Sequence, residues 1–196
     1  MSDNHPLRLV LSVVVTCVVA SGALGATYLA TRERILDQDR QAEARSLSAA
    51  YQGAESFDPV LDEALLTRAQ EAAGEPRVLG IFRAVTAEEE AGWALKVAPR
   101  GYGGRIQMVV AVDRNGKVLG VSILTMNETP GLGTQVGQAR FLEQFSAWSA
   151  ETIADDAKTL DAISGATKSS RGVANGVAAA GRVFDEVLRG EEVASR

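Results

Sequence analysis

The sequence predicts an α+β protein in which one N-terminal transmembrane helix is followed by a single domain with a central antiparallel sheet flanked by helices. Three patterns support this prediction: a long uncharged run near the start, an Asn-Gly turn between two apolar runs, and a closing segment with apolar residues at helical spacing. We divide the chain into a tail and anchor (1–31), a helical stalk with linker helices (32–75) and the main domain (76–196).

The predicted anchor is the run of 23 uncharged residues from Leu9 to Thr31. At about 1.5 Å per residue it is long enough to cross a hydrocarbon layer of about 30 Å. A cleaved secretory signal is the alternative, because Arg8 precedes the run and small residues occupy 21–26. The run continues past those small residues to Arg32, so we predict an uncleaved anchor. Basic residues flank both ends, and their distribution favours neither orientation.

The amino-acid composition argues against several classes of function. The formal net charge is −5 and the sequence has no clustered Lys/Arg run, so we expect no nucleic-acid partner. The single cysteine, Cys17, lies in the apolar run, and the single histidine, His5, precedes it. A cysteine-ligated metal site needs several ligands, and a Ser-His or Cys-His pair needs an imidazole. We therefore assign no catalytic and no metal-binding residue.

The domain reads as strands enclosed by helices. Residues 32–51 are rich in Ala, Gln, Glu and Arg and predict a helix, which breaks over 53–59. Asp113-Arg114-Asn115-Gly116 joins two β-prone runs and predicts a hairpin. The other predicted segments are a helix over 60–74, strands over 78–85, 93–97, 106–112 and 118–125, an amphipathic segment over 139–150, and a closing helix over 169–188.

The stretch Asp161 to Ser170 gathers hydroxyl side chains just before the closing helix. One interpretation is a helix cap, with Ser169 or Ser170 accepting from first-turn amides. Another is an anion site, because the free amides and the dipole at a helix start favour a phosphate. A Ser-Lys nucleophile fails on spacing, since Lys168 lies four residues after Ser164 and that pattern needs three. The residues themselves thus suggest a phosphate near Thr167.

Three short motifs resemble one known family. Asp161–Thr167 resembles the D-x-x-[ST]-G-A-T signature of FMN-binding domains that carry flavin through a phosphoester on the final threonine. Glu128–Gly133 resembles the E-T-P-G-L-G loop of that domain, and Gly101–Gly104 resembles its glycine-rich turn. Together, behind one anchor, they resemble the G subunits of the Rnf (Rsx) ion-translocating electron transport complexes, which are related to the C subunit of the sodium-pumping NADH:quinone reductase. Met126 departs from the family, which often has His at this position.

The resemblance implies covalent FMN on Thr167, attached by a flavin transferase that uses a divalent metal and recognises Asp161 as part of its target. It implies an electron-transfer protein without a self-contained catalytic site, in a complex that couples ferredoxin and NAD redox chemistry to Na⁺ or H⁺ movement. The other cofactor-binding residues that we expect are Ser164, Gly165, Ala166, Lys168, Ser169, Ser170, Glu128, Thr129, Leu132 and Gly133.

The same resemblance implies partners and a location. The partners are the other membrane, iron-sulfur and flavin subunits, the flavin transferase and membrane lipid. The location is the bacterial inner membrane, crossed once, with the domain on the periplasmic side.

The alternative to an electron-transfer protein is an anchored extracytoplasmic ligand-binding or sensory domain with an unmodified Thr167. A measurement of the intact mass would distinguish the two. A purely structural role in the complex would not need Thr167 for electron transport.

Overall fold

The computed structural model describes residues 5–86 and 90–189. The first four residues of the predicted tail, the acidic segment at 87–89 and the last seven residues lie outside the described part. The chain forms two compact units, Met1–Ala42 and Glu43–Arg196.

The first unit contains most of one long helix, α1, which runs from His5 to Ala50. The helix is long and apolar enough near the N-terminus to cross a membrane. Its apolar side chains are exposed through this stretch, including Leu9, Val18 and Leu24. The predicted anchor and the predicted helix over 32–51 are therefore parts of one continuous element.

The second unit is built on a five-stranded antiparallel sheet, as the sequence predicts. Each strand pairs with its neighbours in the chain, giving the order β1-β2-β3-β4-β5. The strands are β1 (Ser56–Pro59), β2 (Arg77–Val85), β3 (Glu90–Ala98), β4 (Gln107–Asp113) and β5 (Val118–Thr125).

Strand β1 corrects the prediction of a plain break over 53–59. Ser56 pairs with Val85 and Pro59 with Phe82, so the segment is an edge strand on β2. Only Phe57 is apolar in the Ser-Phe-Asp-Pro sequence, and proline is tolerated at a sheet edge because no ladder hydrogen bond is required of it there. Pairing with β2, and not local preference, makes this a strand.

The hairpin between β4 and β5 confirms the Asn-Gly prediction. The Asp113 carboxylate accepts from the amides of Asn115 at 2.8 Å and Lys117 at 2.9 Å. Gly116 has φ of +80°, a conformation that favours glycine. The turn therefore fixes the register in which β4 and β5 pair.

Two helices cover one face of the sheet. Helix α2 (Glu63–Ala73) begins after Asp62, whose carboxylate accepts from the Ala64 amide at 2.8 Å. Along the chain after β5, the predicted amphipathic segment over 139–150 forms α3 (Ala139–Leu142) and a 3-10 turn (Glu143–Ala147), with Phe141, Phe145 and Trp148 buried. A further short helix, α4 (Ile153–Asp156), follows it. The closing helix is α5 (Thr167–Val183), continued by a π-helical turn, Phe184–Leu188.

Helix α5 lies directly on the sheet because small residues allow close approach. A Cβ on Gly172 would lie 2.6 Å from the Arg100 carbonyl oxygen, and one on Gly176 would lie 2.8 Å from the Met108 sulfur. The residues predicted for its inner face are all buried: Val173, Val177, Ala180, Phe184 and Leu188. The helix is also tied to α2, since the Arg182 guanidinium donates to the Ala73 carbonyl at 2.8 Å.

The other face of the sheet is covered by the last residues of α1. Leu47, Ala50 and Tyr51 are buried in a second apolar cluster with alanines and Val109 of the sheet. Lys96 pairs with Glu43 at 2.5 Å, and Ser46 donates to Ser122 at 3.0 Å. A sheet covered on both faces gives a rigid support for the loops at its ends.

Tyr51 makes the stability of this packing depend on pH. Its hydroxyl donates to the Ala91 carbonyl at 2.6 Å, and burial, with the nearby Asp113 carboxylate, raises the pKa of the phenol above its ordinary value of 10.0. A raised pKa in the folded state gives a contribution that is complete below pH 10 and is lost as pH rises above it. We expect urea denaturation to show less loss of stability between pH 9 and 11 for Tyr51→Phe than for the parent. Equal losses would contradict this role.

Candidate functional site

Three loops meet at one end of the sheet, and a cavity of about 320 Å³ lies between them. The loops are 101–104 after β3, 128–133 after β5, and 161–166 before α5. The motifs that the sequence singled out are therefore brought together. The cavity is lined by Tyr102, Glu128, Thr129, Leu132, Gly133, Gly165, Ala166, Lys168 and Ser169.

Glu128 connects its own loop to the glycine-rich turn and to the first turn of α5. Its carboxylate is buried, with the residue only 7% exposed. Oε1 accepts from the backbone amides of Tyr102 at 2.9 Å and Gly103 at 3.2 Å. Oε2 accepts from the Ser169 hydroxyl at 2.7 Å. Hydrogen bonds to an ionised acceptor are stronger than neutral ones, so this side chain holds the loops in one arrangement.

Glycines around Glu128 are required by the close packing. A Cβ on Gly101 would overlap the Glu128 Oε1, and a Cβ on Gly103 would overlap the Asn127 carbonyl oxygen. A Cβ on Gly133 would lie 2.8 Å from the Glu128 Oε2. The glycine-rich turn and the 128–133 loop can therefore approach each other only without side chains at these positions.

The 128–133 loop folds back on itself and reaches the turn before α5. Gly131 has φ of +74°, and its amide donates to the Thr134 hydroxyl at 3.0 Å. Leu132 remains 41% exposed. Its Cδ1 lies 3.0 Å from the position that a Cβ on Gly165 would take, and Gly165 itself has φ of +79°. Leu132 thus forms an apolar wall beside the turn.

Helix α5 begins at Thr167, and the residue before it, Ala166, has no side chain that caps the helix. The prediction that Ser169 or Ser170 caps the helix is wrong, because both lie inside its first turn. The Ser170 hydroxyl donates to the Ala166 carbonyl at 3.0 Å and accepts from the Ile163 amide at 3.1 Å. The start of α5 therefore presents amides that no side chain caps, next to the exposed Thr167.

The expected site residues fall into two groups. Ser164, Thr167 and Lys168 are exposed, and the Lys168 amine lies 5.7 Å from the centre of the Tyr102 ring. Ser169 and Ser170 are buried and bonded within the protein, at 1% and 0% exposure. Sequence reasoning missed Tyr102 as a lining residue, although an aromatic residue inside a glycine-rich turn is a usable signal.

Asp161 lies beside a neighbouring cavity of about 290 Å³. Its amide donates to the Gln144 side chain at 3.0 Å. Arg140 and Gln138 line the same cavity. Among the residues that the structure describes, no group of three or more His, Cys, Asp and Glu side chains could hold a metal ion.

Comparison with known proteins identifies the family. Residues 101–181, which include all three loops, match the FMN-binding domain. Over 190 residues the chain is 30% identical to the G subunit of the ion-translocating oxidoreductase complex of Pseudomonas aeruginosa strain UCBPP-PA14, covering 91% of this chain and 88% of that protein. The chain belongs to the family of G subunits of ion-translocating oxidoreductase complexes. The resemblance noted in the three motifs is thereby confirmed.

Other members of this G-subunit family align over different lengths. The G subunit of the proton-translocating ferredoxin:NAD(+) oxidoreductase complex of Clostridium ljungdahlii is 25% identical over 180 residues, 89% of each chain. The G subunit from Shewanella amazonensis is 31% identical over 120 residues, 61% of this chain and 56% of that protein. The crystal structure of Shewanella oneidensis NqrC has the same fold, with a TM-score of 0.50 at 18% identity over 74% of each chain.

The site residues of this G-subunit family member fit FMN. The uncapped amides of α5 and the Lys168 amine suit a phosphate. Leu132 and Tyr102 offer apolar and aromatic surface for a ring system, and the volume lies within the range of about 300–1,000 Å³ that is usual for ligand pockets. The residues present can therefore hold both ends of the cofactor.

Replacing Glu128 tests the connection between the loops. We expect Glu128→Ala to lower the free energy of unfolding by about 3 kcal/mol, because two backbone amides and the Ser169 hydroxyl lose a charged acceptor. Glu128→Gln keeps an acceptor oxygen and should lose less. Urea denaturation measures both, with the exposed Glu143→Ala as the control. If Glu128→Ala unfolds with the midpoint of that control, the proposed connection is refuted.

Proposed function

We propose that this chain is a membrane-anchored flavoprotein that relays electrons in an Rnf-type complex through FMN joined by a phosphoester to Thr167. The observation that carries the proposal is the position of Thr167, an exposed hydroxyl at the uncapped start of α5 beside the cavity. Membership of the G-subunit family and the match to the FMN-binding domain support it. When bound, FMN supplies a reversible carrier of electrons.

The phosphate end is held by the start of α5. The backbone amides of the first turn and the Lys168 amine oppose its negative charge, and the exposed Ser164 hydroxyl is free to donate. We expected Ser169 and Ser170 to bind the cofactor, and in the structure both are buried and bonded within the protein. Ser169 fixes Glu128, and Ser170 fixes the turn at Ile163, so both shape the site from beneath.

The ring end is held by the loops. Leu132 supplies an apolar wall, the Thr129 hydroxyl a hydrogen-bonding group, and Gly133 a close approach of backbone. These contacts, and not the phosphoester, would set the reduction potential of the flavin ring, because the bond is made at the other end of the cofactor. The bond acts as a tether that keeps FMN at high local concentration.

Thr167 needs an enzyme to form that bond. An unactivated hydroxyl is a weak nucleophile, and the sequence after residue 31 contains no histidine to act as a base. A flavin transferase with a divalent metal would direct the Thr167 oxygen to the FMN phosphorus of FAD, with AMP leaving and the hydroxyl proton released. Asp161 is exposed beside the neighbouring cavity and would be part of the target that this enzyme recognises.

The complex and the membrane complete the proposal. The apolar stretch of α1 would anchor the chain in the bacterial inner membrane, with its exposed apolar side chains in contact with lipid. The domain would lie on the periplasmic side and exchange electrons with iron-sulfur and flavin subunits. The complex as a whole would couple ferredoxin and NAD redox chemistry to Na⁺ or H⁺ movement, with this chain supplying the electron relay.

Intact mass tests the proposal directly. Full-length protein produced in a host that has the transferase should carry one FMN increment that survives denaturation. A bare polypeptide mass from such a host would refute the covalent site and would leave the anchored ligand-binding domain as the better interpretation. Protein from a host without the transferase is the control and should have the bare mass.

A further inference from the structure

Four basic residues lie around the glycine-rich turn and the first turns of α5, and one of them, Lys168, lines the cavity. This basic rim consists of Arg100, Arg105, Lys168 and Arg171. Lys168 and Arg171 are three residues apart on α5 and therefore lie on one side of the helix. The next residue, Gly172, touches the Arg100 carbonyl, which brings the backbone of Arg100 against the second turn of α5. Residues 100 and 105 are themselves bridged across the glycine-rich turn.

The positive charge of the basic rim is only partly balanced. Glu75 lies 3.3 Å from the Arg100 guanidinium and 3.7 Å from that of Arg105. In the described part of the chain, neither Lys168 nor Arg171 forms an ion pair with a carboxylate; Lys168 instead lies over the Tyr102 ring. The whole protein has a net charge of −5, so the rim has the opposite sign to the average surface.

Exposed apolar side chains lie beside this rim at the cavity mouth. Tyr102 is 70% exposed and Leu132 is 41% exposed, although both are large. An aromatic and aliphatic centre with charged residues around it is the arrangement found where proteins meet. Both residues are also assigned to the flavin ring, so a partner protein would meet the basic rim around the flavin and not the apolar patch alone.

We propose that the basic rim docks the acidic face of a redox partner protein, which exchanges electrons with FMN at the cavity mouth. This inference rests on the proposed function. Electron-transfer contacts are small and short-lived, and opposite charges raise the rate of encounter without requiring a large buried area. The phosphodiester would carry one negative charge, which leaves the rim positive after FMN is attached.

Charge reversal tests the docking surface. The variants are Arg100→Glu and Arg171→Glu, which lie outside the residues proposed to hold FMN. The probe is a reduced, strongly acidic [2Fe–2S] ferredoxin, mixed by stopped flow with FMN-loaded full-length protein in detergent. We expect the bimolecular rate at low ionic strength to fall about tenfold in the double variant. We also expect the decrease of the parent rate with added salt to disappear.

Lys117→Glu is the matched control, because Lys117 is exposed and lies at the other end of β4 from Arg105. Its rate should stay within about twofold of the parent, since charges beyond the screening length contribute little. Equal low-salt rates for the double variant and the parent would overturn the docking surface. A double variant with a lower FMN content but an unchanged rate per flavin would also overturn it. That result would assign the rim to flavin loading. A parent without covalent flavin would instead contradict the proposed function.

Discussion

Replacing Thr167 with alanine will abolish the flavin fluorescence that survives denaturing electrophoresis. The hydroxyl oxygen is the atom that the proposed phosphoester needs, and alanine has none. The substitution leaves the fold intact, because Thr167 is exposed and alanine has the higher helix propensity at the start of α5. We therefore expect circular dichroism to show an unchanged melting temperature together with complete loss of the in-gel signal.

Two variants sharpen this experiment. Thr167→Ser keeps a hydroxyl at the same position and should retain some of the signal. Thr125→Ala removes an exposed hydroxyl at the end of β5, outside the cavity, and should keep all of it. Fluorescence that persists in Thr167→Ala, in protein matured beside the transferase, would show that the flavin is attached elsewhere.

Val177→Asp will have the largest effect on stability. Val177 is fully buried in the core between α5 and the sheet, and its exposure is 0%. An unpaired carboxylate at that position costs about 4 kcal/mol, a large part of the 5–15 kcal/mol that usually stabilises a domain. For a domain of this size we expect the melting temperature to fall by about 10 °C.

Asn175→Asp is the matched control for that substitution. It introduces the same side chain two residues earlier on α5, at an exposed position. Its melting temperature should stay close to that of the parent, because surface substitutions usually change stability by less than about 0.5 kcal/mol. Thermal unfolding followed by circular dichroism compares the two, and similar melting temperatures would contradict the assigned inner face of α5.

Local patterns predicted most of the sheet. The Asn-Gly turn and the apolar runs around it place β4 and β5 to within a residue, because turn conformation and alternation act over short distances. Strand β1 escaped prediction, since it depends on its pairing with β2 more than 20 residues later. Helix α5 begins at Thr167, two residues before the predicted start. We had placed the start at a serine that could cap the helix, whereas the residue before the helix is Ala166, which has no capping side chain.

The candidate site likewise has parts that local sequence predicts and parts that depend on contacts between distant residues. The three motifs predicted which loops form it, and Thr167, Glu128 and Leu132 all lie at or beside the cavity. We expected Glu128 to be a cofactor-binding residue, and in the structure its carboxylate accepts hydrogen bonds from within the protein. Its partners lie 26 and 41 residues away in the chain, and such contacts follow from the packing of α5 on the sheet. A sequence pattern records neighbours in the chain and not neighbours in space.

The order of the strands also bears on how the protein is assembled. Each strand finds its partner in the segment synthesised just before it, so the sheet can grow in the direction of translation with only short loops to close. The helix that carries Thr167 is made last and covers strands that already exist. A ribosome that stops early would therefore release a chain whose apolar sheet face is uncovered and which lacks Thr167, the residue that we propose carries the flavin.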